Sequence, residues 1–284
     1  LPKEDKDKED EEYAALVAAF QRFVDRVSTG LDADEVFEEL VSIRADFALR
    51  HAFDGFGMEY DQALELIRNK ENLTPEQNTE REILLAAVDN LIDFATVEEY
   101  HAVSETIDFL DNEELEHEDD GMDEEEREEA ILAICAKYNR RYANTENHDI
   151  EYAMIVAAQL SALSDDSYLM YMTMGDERVR PWHLQYEGFT APKSSFPAWL
   201  VPPIEHQCRC YLIEDGKPTS QMSDIKAQRV QIEPPYWFNP TFKECVAFGG
   251  RIFSDEHPYF TIDESHKDRL KEISEHIKSH YLNA

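Results

Sequence analysis

Basic side chains are scarce in this chain. Its 284 residues hold 27 Lys and Arg against 62 Asp and Glu, a formal net charge of −35. Affinity for nucleic acid comes largely from Lys and Arg that neutralise phosphates and release counterions. The shortage is greatest in residues 1–160, with 44 acids and 14 basic residues, against 18 and 13 in residues 161–284. Direct nucleic-acid binding by residues 1–160 is therefore excluded. Long apolar runs are missing too: no stretch of 18 such residues exists, so no membrane span is expected. The opening LPKEDKDKEDEE has no apolar core and reads as no secretory signal. It also has no leading Met, so Leu1 is expected to be a processed or trimmed end. Cysteine is limited to Cys135, Cys208, Cys210 and Cys245, without disulfide-framework spacing. That usage suits reduced thiols made in a cytosol, with metal binding favoured over disulfides. Absent as well are a phosphate-binding Gly loop, a nucleophile elbow and a Ser triad signature.

What is present divides into two textures. Helical spacing dominates the first 165 residues. Leu16, Phe20, Phe23 and Val27 predict a first helix ending near Thr29-Gly30. Asp32 with Glu35 reads as a capping box opening a second helix through Val36, Leu40, Ile43 and Phe47. Asp54-Gly55-Phe56-Gly57 reads as a turn, and Leu64 and Ile67 mark a third helix. Thr74-Pro75-Glu76-Gln77 is a strong helix start, with hydroxyl cap, Pro at the first position and Gln to close the box. Helical patterning continues through Ile83–Phe94 and Tyr100–Leu110, and two further helices are expected at about 124–141 and 149–163. Between them, residues 111–130 hold 13 acids and one Arg. This is read as a solvated acidic loop, since Gly121 lacks the ligand register of an EF-hand. His51, His101, His117 and His148 are scattered and read as surface or packing residues.

After Asp165-Asp166, prolines multiply and helical periodicity fades. Tyr168–Thr173, Arg209–Ile213 and Val230–Glu233 read as short strands in a loop-rich domain. From Ser265, Leu270, Ile273, Ile277 and Tyr281 mark a final amphipathic helix, expected to pack on its own domain or to dock a partner. The fold class is α+β: an acidic helical domain (1–165), a small loop-rich α+β domain (166–264) and a C-terminal helix (265–284).

The chemistry lies in the second half. Cys208 and Cys210, at i and i+2, would point both thiols to one face of a strand. His183 offers an imidazole, and Cys245, His206 and His257 are candidates for a fourth ligand of a structural zinc. The plainer alternative is a pair of buried structural thiols beside a packed histidine, because C-x-C is less specific than C-x2-C. A zinc deaminase shares the His and Cys ligand types. It requires His-x-Glu and Pro-Cys-x-x-Cys, where this chain has His183-Leu184-Gln185 and Gln207-Cys208-Arg209-Cys210. The general acid/base is missing, so that class is rejected, and no spacing marks a Cys–His nucleophile pair. Gly175-Asp176 reads as a turn, with Asp176 capping backbone amides or pairing with Arg178 or Arg180.

The run Tyr168-Leu169-Met170-Tyr171-Met172-Thr173 is followed in order by Gly175-Asp176-Glu177-Arg178-Val179-Arg180 and Pro181-Trp182-His183. Then come Glu187-Gly188-Phe189, Pro202-Pro203 and Cys208-Arg209-Cys210. This order and spacing resembles the head morphogenesis, or minor head protein, family typified by the F protein of phage Mu. Phe253 and the later His257-Pro258-Tyr259-Phe260 are similar to segments that follow this domain in some relatives. One departure is Ile204-Glu205-His206-Gln207, where the family usually has Asn-Gly-Trp-Asn, which makes His206 an extra ligand or a loop substitution. The extreme acidity of residues 1–160 is a second departure. The resemblance implies a non-enzymatic virion protein of a tailed phage or prophage. Such a protein is made in the bacterial cytoplasm, sits in several copies inside the head beside the portal and other head proteins, and acts in head assembly, packaging or ejection. Two rivals use other features: a metal-dependent hydrolase or toxin built on the His/Cys cluster, and an acidic DNA-mimicking inhibitor.

Overall fold

The computed structural model describes residues 3–116, 122–215 and 233–283. Among them the architecture is α+β, mostly helical with one small antiparallel sheet. Helix α1 (Lys3–Ser28) buries Leu16, Phe20 and Phe23. It ends where Gly30 takes φ 68°. The amides of Gly30 and Leu31 then reach back to the carbonyls of Val27 and Arg26, closing the last turn with a left-handed cap.

Helix α2 (Asp34–Phe56) starts with the Asp34 amide donating to Asp32 Oδ1 at 2.9 Å. It continues through Gly55, so the expected turn at 54–57 is corrected to a helix end at Gly57, whose φ is 79°. Gly55 serves packing instead: a Cβ there would stand 2.4 Å from the Glu151 carbonyl oxygen. Helix α3 (Tyr60–Arg68) is short. Helix α4 (Pro75–Glu116) is a single element of 42 residues. Its predicted capping box is present, with Gln77 amide to Thr74 Oγ1 at 3.2 Å and Thr74 amide to Gln77 Oε1 at 3.0 Å.

Helix α5 (Glu124–Ala136) opens on a second capping box, Asp123 with Glu126. The interruption expected between 141 and 149 is not there. A π-helical segment (Lys137–Tyr142) leads straight into α6 (Ala143–Ser161). A wide turn adds a residue without ending the helix, shifting the buried face in a way that a fixed 3.6-residue period misses.

Strands β1 (Tyr168–Met172), β2 (Thr190–Pro192) and β3 (Tyr211–Asp215) form an antiparallel sheet in the order β2-β1-β3. Central β1 alternates, burying Leu169 and Tyr171. Tyr168 faces Pro192 on one side and Asp215 on the other. The strand predicted at 209–213 therefore begins two residues later. Of the run predicted at 230–233, residues 230–232 lie outside the described residues. Short 3-10 turns carry much of the proline-rich chain, the Pro202-Pro203 bond is cis, and helix α7 (Lys267–Leu282) follows.

Contacts divide the chain into two compact units, each discontinuous in sequence. One comprises residues 1–50, 91–147 and 258–284; the other, residues 51–90 and 148–257. The segments 51–90 and 148–165 thus group with the loop-rich part.

The first unit has a charged centre. Arg44 on α2 is wholly buried. It donates from Nε to Glu98 Oε2 at 2.8 Å, from Nη1 to Asn147 Oδ1 at 2.9 Å, and from Nη2 to Glu146 Oε2 at 3.4 Å. Glu12 Oε1 stands 3.7 Å from Nη1. Glu99, also buried, accepts from Asn139. One cation thus faces more carboxylates than it neutralises, and protons make up part of the difference. Burial, then the charge of Glu98, pushes the Glu99 carboxyl up to about 8. Burial and Glu98 likewise raise Glu146 well above the carboxylate range. Glu99 Oε1 has no hydrogen-bond partner among the described residues, a position that costs less for a neutral acid than for a carboxylate.

In the second unit, Phe53, Leu84, Leu169, Tyr171, Phe242 and Phe253 are buried, each contributing roughly 2 kcal/mol of apolar transfer energy. Asn90 of α4 acts as a strand partner without a strand. Its Oδ1 accepts from the Ile252 and Phe253 amides at 2.9 and 3.0 Å, and its Nδ2 donates to the Phe253 carbonyl at 2.9 Å.

Candidate metal centre

All of the site lies within the second unit. Strand β1 ends at Met172, and the chain turns at Gly175, whose φ of 66° suits glycine. Asp176 Oδ1 accepts from the Arg178 amide at 3.1 Å, the cap expected for this turn. Its ion pair is made with Arg209 rather than with Arg178 or Arg180. Arg209 donates from Nη1 and Nη2 to the two carboxylate oxygens, both at 2.8 Å. This fork holds the Asp176 carboxyl below its usual range, chiefly through the Arg209 hydrogen bonds. Arg180 turns to Glu205 (Nε to Oε2, 3.2 Å) and donates to the His206 carbonyl at 2.7 Å.

The turn delivers His183 to a 3-10 segment (His183–Tyr186), where it is 2% exposed. Cys208 and Cys210, 1% and 2% exposed, lie in the extended connection entering β3. That corrects their expected place on a strand. The Cys210 carbonyl accepts from the Tyr152 hydroxyl at 2.6 Å, a side-chain bond in place of a ladder bond. The thiols still share one side. His183 Nδ1 is 3.2 Å from Cys210 Sγ and 3.9 Å from Cys208 Sγ, and the three ligand atoms lie within 4.8 Å of one another. Ligands of one tetrahedral zinc stand about 3.3–3.8 Å apart. The group can hold a metal ion, and among the described residues it is the one such group of three.

Cys245, His206 and His257 do not join it. His206 Nδ1 is engaged by buried Asp149 Oδ2 at 2.8 Å, while Asp149 Oδ1 accepts the Gln207 amide at 2.7 Å. Burial raises the Cys245 thiol to about 11, the state of a packed, protonated side chain. Cys135 belongs to the first unit.

No protein-family model, curated protein or solved structure matches the chain.

The surroundings of His183 are those of a ligand histidine. Its Nε2 lies 3.2 Å from Glu205 Oε2, so a proton on Nε2 leaves the Nδ1 lone pair facing the sulfurs. Glu205 is itself fixed by Arg180 and by the Trp182 indole, which donates at 3.0 Å. Trp182 also packs edge-on to the imidazole, with centroids 4.1 Å apart, and helps to cover it. The sulfurs are unequal. Hydrogen bonding to Cys210, followed by burial, raises Cys208, whereas the same bond lowers Cys210. A metal ion binds thiolates, so occupancy would displace the protons that the two sulfurs carry. Tyr171, whose hydroxyl is raised by burial, lies next to this pair and helps to lower Cys210.

Sequence reasoning found His183, Cys208 and Cys210. It missed Glu205 as the residue behind the histidine and Arg209 as the partner of Asp176. Arg209 was legible as the residue between the cysteines. Glu205 sat in the run Ile204-Glu205-His206-Gln207, where His206 drew attention instead.

Proposed function

We propose that this chain is a structural minor head protein of a tailed phage or prophage, similar to the phage Mu F family. It acts beside the portal, inside the head, in assembly, packaging or ejection. The observation that carries the proposal is that the motifs spread over residues 168–210 are tied to one another. Thr173 Oγ1 donates to Glu187, Asp176 grips Arg209, and Arg180 holds the loop that follows Pro202-Pro203. Their common order therefore has a local physical reason: each piece completes another. His183, Cys208 and Cys210 serve as a structural zinc centre at the heart of this motif, with Glu205 orienting the histidine. Mass spectrometry of purified particles from the source tests the assignment. The chain is expected in particles with and without DNA, and its absence from both overturns the proposal.

A count of three protein ligands favours one other reading, a metal-dependent hydrolase or toxin with a fourth position for water. Against it stand the near-complete burial of all three residues and the engagement of Glu205 by Arg180, Trp182 and His183. The acidic inhibitor remains the reading to adopt if the chain is missing from particles and binds a basic DNA-binding protein in a salt-sensitive manner.

A further inference from the structure

A second constellation lies on helix α7 of the first unit, apart from the thiol centre in sequence and in chemistry. Leu270, Ile273 and Ile277 form the buried face of α7. His276 and His280, one turn apart, are exposed. One-turn spacing places two side chains above one another on a helix. Here the ring centroids are 4.7 Å apart and the planes meet at 67°. The His276 Nδ1 atom stands 2.5 Å from Glu38 Oε1 of α2.

That contact sets the tautomer. With the Nδ1 proton given to the carboxylate, the lone pair of His276 is on Nε2, at the ring edge away from Glu38. A carboxylate behind a histidine is the usual device for orienting a metal-bound imidazole and raising its basicity. The spacing also fits. With metal–nitrogen bonds of about 2.0–2.1 Å, each ring centroid lies about 3.2 Å from a shared ion. Centroids 4.7 Å apart then subtend about 95°, near the angle between neighbouring ligands in square or octahedral coordination. The i, i+4 histidine pair is the spacing by which a helix presents two imidazoles to one metal. A plain ion pair accounts for His276 with Glu38, but it does not predict that His280 shares a ligand with them.

We infer that His276 and His280, with Glu38 behind His276, form a surface site for an imidazole-seeking divalent cation such as Ni(II), Cu(II) or Zn(II). Two imidazoles bind the ion and water fills the remaining positions. Because Glu38 belongs to α2, an occupied site clips the last helix to the second one. It differs from the thiol group in class, offering nitrogen donors at the surface in place of buried sulfur.

The test is titration of the full-length chain with Ni(II), followed by calorimetry and by absorption spectroscopy. With the thiol centre first loaded with zinc, one nickel ion should bind without thiolate-to-nickel charge-transfer bands. His276→Ala and His280→Ala should each weaken binding about tenfold or more, and Glu38→Gln by about 10- to 100-fold. Nickel should raise the Tm of the wild type and not that of the histidine variants, each compared with its own Tm in chelator. Wild-type affinity in either histidine variant overturns the site, as does nickel binding only with thiolate bands. Wild-type affinity in Glu38→Gln removes the role given to Glu38.

Discussion

Asp176 and Arg209 meet fork to fork, each carboxylate oxygen 2.8 Å from a guanidinium nitrogen. The pair joins the turn after β1 to the residue between the two cysteines. Because the pair is open to solvent, with the Arg209 and Asp176 side chains 30% and 42% exposed, the bond adds little to global stability, and its effect should be local. Arg209→Lys keeps the charge but loses the fork. It should speed alkylation of Cys208 and Cys210 by iodoacetamide several-fold, with the helical circular dichroism unchanged. Equal alkylation rates in the two proteins would show that the fork does not shape the cysteine connection.

Zinc content should fall from one ion per chain to none in Cys208→Ser or Cys210→Ser, as read by elemental analysis after dialysis. Glu205→Gln should retain the ion but weaken it by about 10- to 100-fold, since it removes the carboxylate behind His183 while leaving all three ligands. If the protein as purified holds no zinc and the His276→Ala variant, which lacks the surface site, binds none on titration, the group is a pair of packed thiols beside a histidine.

The charged core of the first unit predicts a pH dependence. Glu99 titrates near 8 when folded, against an ordinary value of 4.5. Its folded pKa is raised, so the stability linked to its proton is fully present below about 4.5. That contribution is lost as pH climbs through 8, and amounts to on the order of a few kcal/mol for a buried group. Glu99→Gln keeps the shape and cannot ionise. Urea unfolding midpoints at pH 5, 7 and 9 should decline less steeply in this variant than in the wild type. Parallel declines would assign the titration to another group.

Removing the cation should be harsher. Arg44→Met leaves Glu12, Glu98 and Glu146 buried without their counter-charge, and about 3–5 kcal/mol should be lost at neutral pH. A smaller loss at pH 5, where the glutamates protonate more readily, would accompany it in the same urea series.

Gly55→Ala should destabilise although alanine is the better helix former by about 1 kcal/mol. The added methyl would meet the Glu151 carbonyl at 2.4 Å, backbone that cannot step aside cheaply. A net loss of about 1–3 kcal/mol is expected from thermal unfolding.

The same glycine shows why some of the fold was legible and some was not. Helix starts announce themselves locally: Thr74 and Gln77 bond each other, so four consecutive residues suffice to predict them. The meaning of Gly55 depends on Glu151, 96 positions away, and proximity in sequence suggested a turn instead. The π-helical segment at 137–142 hid the continuity of α5 and α6 for a related reason, because its extra residue breaks the period used to find helices. Cysteine and histidine stand out as rare, chemically distinct residues, so His183, Cys208 and Cys210 could be paired by type. Glu205 is one acid among 62, and Arg44 sits in an unremarkable helical run. Neither could be singled out before its neighbours were known.

Arg44 also bears on how the first unit chooses among near-equivalent packings. Leucine, alanine and phenylalanine faces tolerate sliding, since one apolar contact substitutes for another. A slip of one residue along α1, α4 or α6 would instead turn its glutamate about 100° away from the guanidinium. Glu12, Glu98 and Glu146 must therefore arrive together, each helix in its own setting, like three tumblers against one key.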